Sequence, residues 1–392
     1  MHDAGPRIAV VAGELSGDTL GGGLLGALKA RYSDARFLGV TGPAMADAGC
    51  EALAGIDDLS LFGLGEVLRE IPRLIRLRRH LIERITAWRP DVFIGIDAPS
   101  FNTGLERRLR LAGIPTVHYV CPTAWAWRER RVYHLREAAD MMLSIFPFEE
   151  AFFRRHHVPV RFVGHPLADE LPLHPDADSA RRALGLASDA TWVGLLPGSR
   201  NAEVDRLGPR FLATARWLHA RLPGIRFVIP VAKPSLREKL ETQCRDLAPE
   251  LGITLIEGRA REVMRAASVV LTASGTATLE ALLAKTPMVV AYAVSPVSYH
   301  IAKTLDLIKV PWVSMPNLLA DRMLVPEVLQ NEARPEVLGP GLYRLLTSEA
   351  ARAEQIEAFE SLHEQLRRGA SQGAARAVAE IIESPPWHAQ PA

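Results

Sequence analysis

Three short stretches carry residue types that can do chemistry at places where a strand gives way to a helix. "PDVFIGIDAPSFN" puts Asp97 directly after an apolar strand. A partly desolvated carboxylate there suits a general base acting on a hydroxyl, or an Asx turn that starts the next helix. "GLLPGSRNAEV" puts Ser199 and Arg200 between a strand and a helix. A guanidinium beside the free N–H groups of a helix start suits a pair of phosphate oxygens. "LTASGTATLEALLAKTPMVVAY" repeats the arrangement, with Ser274, Gly275 and Thr276 opening a helix. The helix dipole adds to the pull on an anion at such a start. Two anion-seeking loops in one half of the chain point to a diphosphate. Glu280, one turn along the second helix, is placed to take paired hydroxyls such as a ribose diol, with a solvated glutamate as the competing reading.

Other candidates are less specific. "VVAGELSGDTLGGG" places Glu14 at the mouth of the first strand, with Ser16 and Asp18 behind it as ligand contacts or helix caps. "VGHPLAD" puts His165 at a junction, as a ligand contact or as a hinge residue satisfied by backbone groups. Trp125 and Trp127 in "YVCPTAWAWRERR" either pack the interior or line an apolar or sugar-binding pocket. The dinucleotide fingerprint and the P-loop pattern do not occur, which disfavours a nicotinamide enzyme or a P-loop ATPase.

Positioning such residues falls to a repeated strand–helix pattern. Apolar β-branched runs at 8–12, 37–40, 92–96, 116–119, 142–145 and 160–163 alternate with helical stretches. A second series follows at 192–196, 226–230, 254–256, 269–271 and 288–292. Two such series predict an α/β fold of two Rossmann-like, doubly wound parallel-sheet domains, with ligands at the carboxyl ends of the strands. A chain of 392 residues fits two cores better than one. The break is expected in the Pro- and Asp-rich segment 165–180, giving domains 1–167 and 168–392, with some terminal helices free to pack back on the first.

Composition excludes several classes. A net charge of +1 gives no overall pull toward nucleic acid, and 48% hydrophobic against 23% charged residues is ordinary for a globular protein. Three cysteines without metal-ligand spacing fit a reducing compartment and offer no zinc site. No secretory signal is read at the start, and no apolar run reaches the roughly 20 residues that span a bilayer. One segment stands out. In "LSLFGLGEVLREIPRLIRLRRHLIERI", Phe62, Leu64, Leu68, Ile71, Leu74 and Ile75 lie among apolar residues at helical spacing, with an Arg-rich opposite face. Such a helix packs on a sheet or lies in an anionic membrane interface.

The ordered set "GELSGD", "IDAPSFN", "PTAWAW", "GHPL", "LPGSR", "SGTATLE" and "MPNLL" resembles the lipid-A-disaccharide synthases, inverting glycosyltransferases of the GT-B type. The likeness runs from about residue 8 to about 329, with Thr123-Ala124 where the family more often has Ser and Val. It implies two facing domains with the active site between them. It implies UDP-2,3-diacylglucosamine as donor and 2,3-diacylglucosamine 1-phosphate (lipid X) as acceptor, joined β(1→6) with release of UDP. No cofactor or metal is implied. Asp97 would be the catalytic base; Ser199, Arg200, Ser274, Gly275, Thr276 and Glu280 would hold UDP; Glu14, Ser16, His165 and Asn317 would position the substrates. The apolar segment 59–75 would carry acyl chains at the cytoplasmic face of the inner membrane, and a homodimer is left open. Neighbouring readings are a UDP-N-acetylglucosamine 2-epimerase or a muramyl-type transferase on the same fold. A catalytically dead UDP-sugar or lipid sensor is the non-enzyme reading, and it should have lost Asp97.

Overall fold

The computed structural model describes residues 5–59, 67–123, 131–294 and 311–389. It divides into two compact units, residues 1–169 with 366–392, and residues 170–365. The first unit holds a seven-stranded parallel sheet in the order β3-β2-β1-β4-β5-β6-β7. Its strands are β1 Arg7–Ala12, β2 Arg36–Thr41, β3 Cys50–Gly55, β4 Val92–Ile96, β5 Thr116–Tyr119, β6 Met141–Ser144 and β7 Val160–Phe162. The second unit holds six parallel strands in the order β10-β9-β8-β11-β12-β13. These are β8 Thr191–Leu196, β9 Ile225–Val231, β10 Thr254–Glu257, β11 Val269–Ala273, β12 Met288–Tyr292 and β13 Glu327–Leu329.

Burial on both faces explains the sequence signal. β4 is buried at every position, and β1 and β8 at every position but the first. Strands covered by helices on two sides read as continuous apolar runs, which is how they stand out in the sequence. Two edge strands escape that pattern. β3, "CEALAG", has one fully buried residue in six, and β13 has only three residues. Strand order reverses between β1 and β4 in one unit and between β8 and β11 in the other. Helix starts diverge at such a reversal and leave a crevice at the carboxyl ends of the strands.

The helix Ala370–Glu383 belongs to the first unit. Its Ala374, Ala377 and Val378 pack into the same core as Ile8, Val10 and Leu24. Arg161 and Glu380 form a bidentate pair at 2.8 and 2.6 Å on the outside of that contact. The chain re-enters at Leu366, where His165 N–H donates to its carbonyl at 2.9 Å. The carboxylate of Asp169 then accepts from the N–H groups of Gly369 and Ala370. The boundary therefore lies at Asp169/Glu170, beside the break expected at 167/168, with a second crossing near Leu366 where the last helix packs back on the first unit.

Candidate active site

In the second unit the reversal point between β8 and β11 carries a pocket of about 350 Å³. Ser199, Arg200, Ser274, Gly275, Thr276 and Glu280 all line it. Residues some 80 positions apart in the chain thus meet because their strands are hydrogen-bonded neighbours. The helix Thr276–Leu283 points its start into this space, and an α-helix has no acceptor of its own for the N–H groups of Thr276 and Ala277. Gly275 sets that geometry with φ +129° and ψ −156°, and a β-carbon there would meet no atom of the described residues within 4 Å. The Ser274 hydroxyl is turned away, donating to the Val313 carbonyl at 2.5 Å. Glu280 is held by Arg261 at 2.8 Å, an orienting partner that sequence reading missed. Pro230 and Met264 supply apolar wall.

The first anion loop differs from expectation in one respect. Glu203 Oε2 already accepts the N–H groups of Ser199 at 2.9 Å and Arg200 at 3.2 Å. A carboxylate from the first turn of the helix Asn201–His219 thus caps its own start. What this loop still offers a ligand is the Arg200 guanidinium, whose side chain is 81% exposed and touches Glu203 only at 3.3 Å. Among the described residues no group of three or more His, Cys, Asp or Glu is arranged to hold a metal ion.

In the first unit the reversal point lies between β1 and β4, and Asp97 stands just past β4. Its N–H donates to the Tyr119 carbonyl at 2.9 Å and its carbonyl accepts from Asn102 Nδ2 at 2.8 Å. Asp97 and Ala98 both take positive φ, +51° and +44°, a strained pair for residues other than glycine. Burial pushes the Asp97 carboxyl up from its ordinary range; the Ala98 N–H opposes this, Glu14 adds to it and His118 opposes it. Glu14 and Ser16 are exposed at the neighbouring strand mouth, where the Ser16 hydroxyl donates to the Glu14 carboxylate. A half-buried carboxylate with a raised affinity for protons, held by a rigid main chain, is equipped to accept a proton from a hydroxyl.

With this geometry in place the relatives become informative. A model of the lipid-A-disaccharide synthetase family matches residues 8–381. The chain belongs to the lipid-A-disaccharide synthase family. It is 50% identical over 379 residues to the lipid-A-disaccharide synthase of Pseudomonas aeruginosa strain UCBPP-PA14, covering 97% of this chain and 99% of that one. It is 51% identical over 378 residues to the enzyme of Azotobacter vinelandii, covering 96% and 98%. Among solved structures it resembles a UDP-GlcNAc 2-epimerase from Neisseria meningitidis bound to UDP-GlcNAc, with a TM-score of 0.61 at 12% identity over 96% of this chain and 99% of that one. A likeness that distant speaks for the two-domain GT-B fold alone. As a lipid-A-disaccharide synthase the chain is a glycosyltransferase of lipid A biosynthesis, acting on a UDP-sugar and lipid X.

Several residues of the family-like motifs turn out to hold the fold. Asn317 is fully buried. Its Oδ1 accepts from Leu324 and Val325 N–H at 2.7 and 2.8 Å, and its Nδ2 donates to the Val325 carbonyl and to Glu327 at 2.9 and 2.8 Å. Both lone pairs and both hydrogens are used, so Asn317 has nothing left to position a substrate. Asp18 caps no turn of its own helix; buried, it accepts the N–H groups of Gly42, Ala44 and Met45 at the start of Pro43–Asp47. His165 Nδ1 accepts from Leu167 N–H at 3.2 Å and its ring lies against Phe146.

The Arg-rich segment splits by face. In the helix Val67–Trp88, Leu74, Leu77 and Ile82 pack on a core formed by Leu81, Ile85, Phe93 and Leu105. Leu74, expected at the membrane, therefore belongs to the sheet side. Ile71 and Ile75 lie on the outer side, 40% and 44% exposed, and Leu111 on the neighbouring helix Pro99–Leu111 is 77% exposed. Arg78, Arg79, Arg107 and Arg108 line the groove between these helices together with Ile75 and Leu111. No described helix is long and apolar enough to cross a membrane. Phe62, Leu64, Trp125 and Trp127 lie outside the described residues, as does the side chain of Leu68.

Proposed function

We propose that the pocket of the second unit takes the UDP of UDP-2,3-diacylglucosamine and that Asp97 is the base of the transfer. The observation that carries the donor assignment is the convergence of Arg200, the start of Thr276–Leu283 and Glu280 on one pocket at the strand reversal. The diphosphate lies on the N–H groups of Thr276 and Ala277 and meets the Arg200 guanidinium. Glu280, steadied by Arg261, takes the ribose hydroxyls, and the uracil lies against Pro230 and Met264. Charge that grows on the departing diphosphate is then met by dipoles and a cation already in place. The reaction is a displacement. The acceptor 6-hydroxyl loses its proton to Asp97, its oxygen bonds to the anomeric carbon, and the bond from that carbon to UDP breaks with inversion. Glu14 and Ser16, beside Asp97, position the sugars.

Acyl chains and the membrane belong to the helix Val67–Trp88 and the segment before it. Ile71, Ile75 and Leu111 enter the headgroup region while Arg79, Arg107 and Arg108 meet anionic lipid. Phe62, Leu64 and Leu68 are assigned to the acyl chains on their apolar character in the sequence alone. The enzyme thus works from the inner-membrane surface.

Incubation with both purified lipid substrates, with disaccharide 1-phosphate and UDP read by mass spectrometry, tests the roles. Asp97→Asn is expected to bind UDP as before and to lower kcat by about 10²–10⁴, the usual worth of a general base. Turnover near that of the unaltered enzyme would remove Asp97 from the mechanism.

A further inference from the structure

Beneath Asp97 lies a polar pair that core packing does not explain. His118 in β5 and Glu106 in the helix Pro99–Leu111 are both fully buried, with His118 Nδ1 2.6 Å from Glu106 Oε1. The sheet keeps a space for them. Gly95 is the register partner of His118, and a β-carbon on Gly95 would stand 2.1 Å from Glu106 Oε1. Among the described residues neither Glu106 Oε2 nor His118 Nε2 has a hydrogen-bond partner. A buried ion pair left partly unsatisfied is a poor way to stabilise a core, where apolar residues of similar volume often do better. The pair also sits where the main chain is strained. Asp97, Ala98 and Val120, at two adjacent strand ends, all have positive φ, and Val120 at +77° is β-branched.

Burial works against a proton on His118, but Glu106, with help from Asp97 and the Val120 backbone, outweighs it and raises its affinity for that proton. Asp97 in turn interacts with His118 and with Glu14, while Glu106 is not among the groups that act on it. Asp97 follows β4 two residues after Gly95, the register partner of His118, and its N–H is bonded to the carbonyl of Tyr119, the residue after His118.

We propose that Glu106 and His118 are positioning residues for Asp97: Glu106 anchors the ring of His118, whose positive charge holds the Asp97 carboxylate ionised and ready to accept the acceptor's proton. This rests on the reading of Asp97 as the base. The arrangement answers a difficulty of that reading, because a half-buried carboxylate next to Glu14 would otherwise tend to hold its proton and be a spent base. It also accounts for a buried charge pair packed against β4, the strand that ends at the reversal, where binding chemistry collects.

Glu106→Gln keeps the volume and removes the charge. The expected result is an unchanged KM for the UDP-sugar and an acid limb of the kcat profile moved up by about one pH unit, the low end of what one nearby charge does, so that kcat falls about tenfold on the acid side of the limb. Most of the lost kcat should return at higher pH, which packing damage would not allow. His118→Gln should move the limb the same way. The Asp97 carboxyl carbon, recognised in ¹³C spectra by its absence from Asp97→Asn, should titrate higher in both variants, a readout that needs no turnover. A lower kcat at every pH with an unmoved limb and an unmoved carboxyl titration would leave the pair a packing element and overturn the proposal. An active Asp97→Asn enzyme would defeat the base reading, while the carboxyl titration would still decide whether the pair acts on Asp97. Should neither variant fold, ¹⁵N spectra of the unaltered protein at pH 8 should retain one protonated imidazole, and spectra with every ring neutral would overturn it.

Discussion

Replacing Gly275 by alanine tests the donor pocket at its most sensitive point. Gly275 has φ +129° and ψ −156°, a region essentially restricted to glycine, where another residue costs about 1–3 kcal/mol. A β-carbon would meet no atom of the described residues within 4 Å, so the cost is conformational and not a clash. The variant has two ways to respond. Holding the loop in place lowers the melting temperature, by roughly 2–4 °C per kcal/mol for a unit of this size, and puts a methyl group into the ligand's space. Rotating the peptides around residue 275 relieves the strain but turns the first N–H groups of Thr276–Leu283 away from the pocket. Losing one such bond to a phosphate oxygen is worth about 1.5–3 kcal/mol, roughly 10- to 150-fold in the dissociation constant. Calorimetric titration with UDP, run beside a thermal melt, reads both. Gly185→Ala is the control, since Gly185 also has positive φ, +68°, and open space around it, but closes the helix Ala177–Leu184 away from the pocket. It should lose stability and keep its UDP affinity. If Gly275→Ala binds UDP within twofold of the unaltered protein, the diphosphate does not rest on this helix start.

Arg200→Ala should weaken UDP binding by about 1.5–3 kcal/mol with little change in stability, because the side chain is exposed and, among the described residues, bonds only Glu203. Unchanged affinity in calorimetry would place the diphosphate elsewhere. Serine at Ile71, Ile75 and Leu111 together should cost about 1 kcal/mol or less of stability, since all three are exposed. The same variant should lose about 2–4 kcal/mol of membrane partition, given full side-chain burial at about 1.5–3 kcal/mol each and partial exposure of two of them. Sedimentation with anionic vesicles is the measurement, and a variant that pellets as before would return this face to the bland role of a solvated helix. Asn317→Ala should destabilise the protein by about 3 kcal/mol or more, because it strands Leu324 N–H, Val325 N–H and the Val325 carbonyl in the interior. A raised KM without a lower melting temperature would restore a substrate role to it.

Much of this protein is legible in one dimension because its chemistry is local. A strand buried on both faces must be a run of apolar residues, so β1, β4, β8 and β11 announce themselves, and the loops at their ends carry Glu14, Asp97, Arg200 and Ser274 in plain view. The ordered motifs were enough to place the chain among the lipid-A-disaccharide synthases. Edge strands β3 and β13 were not readable, because a short strand covered on few sides needs no apolar run. Nor can a sequence say how a side chain's hydrogen-bonding capacity is used up. Asn317 and Asp18 stand in motifs as conspicuous as that of Asp97, yet four partners consume the first and three backbone N–H groups the second. Nor does the sequence show that the Glu203 carboxylate takes the N–H groups of Ser199 and Arg200, at the loop expected to hold phosphate. The return of Ala370–Glu383 to the first unit, the outward turn of Ile71 and Ile75, and the meeting of Glu106 with His118 all depend on contacts between distant segments. Sequence fixes which groups a chain can offer at each strand end; only packing decides which of them are left over for a substrate.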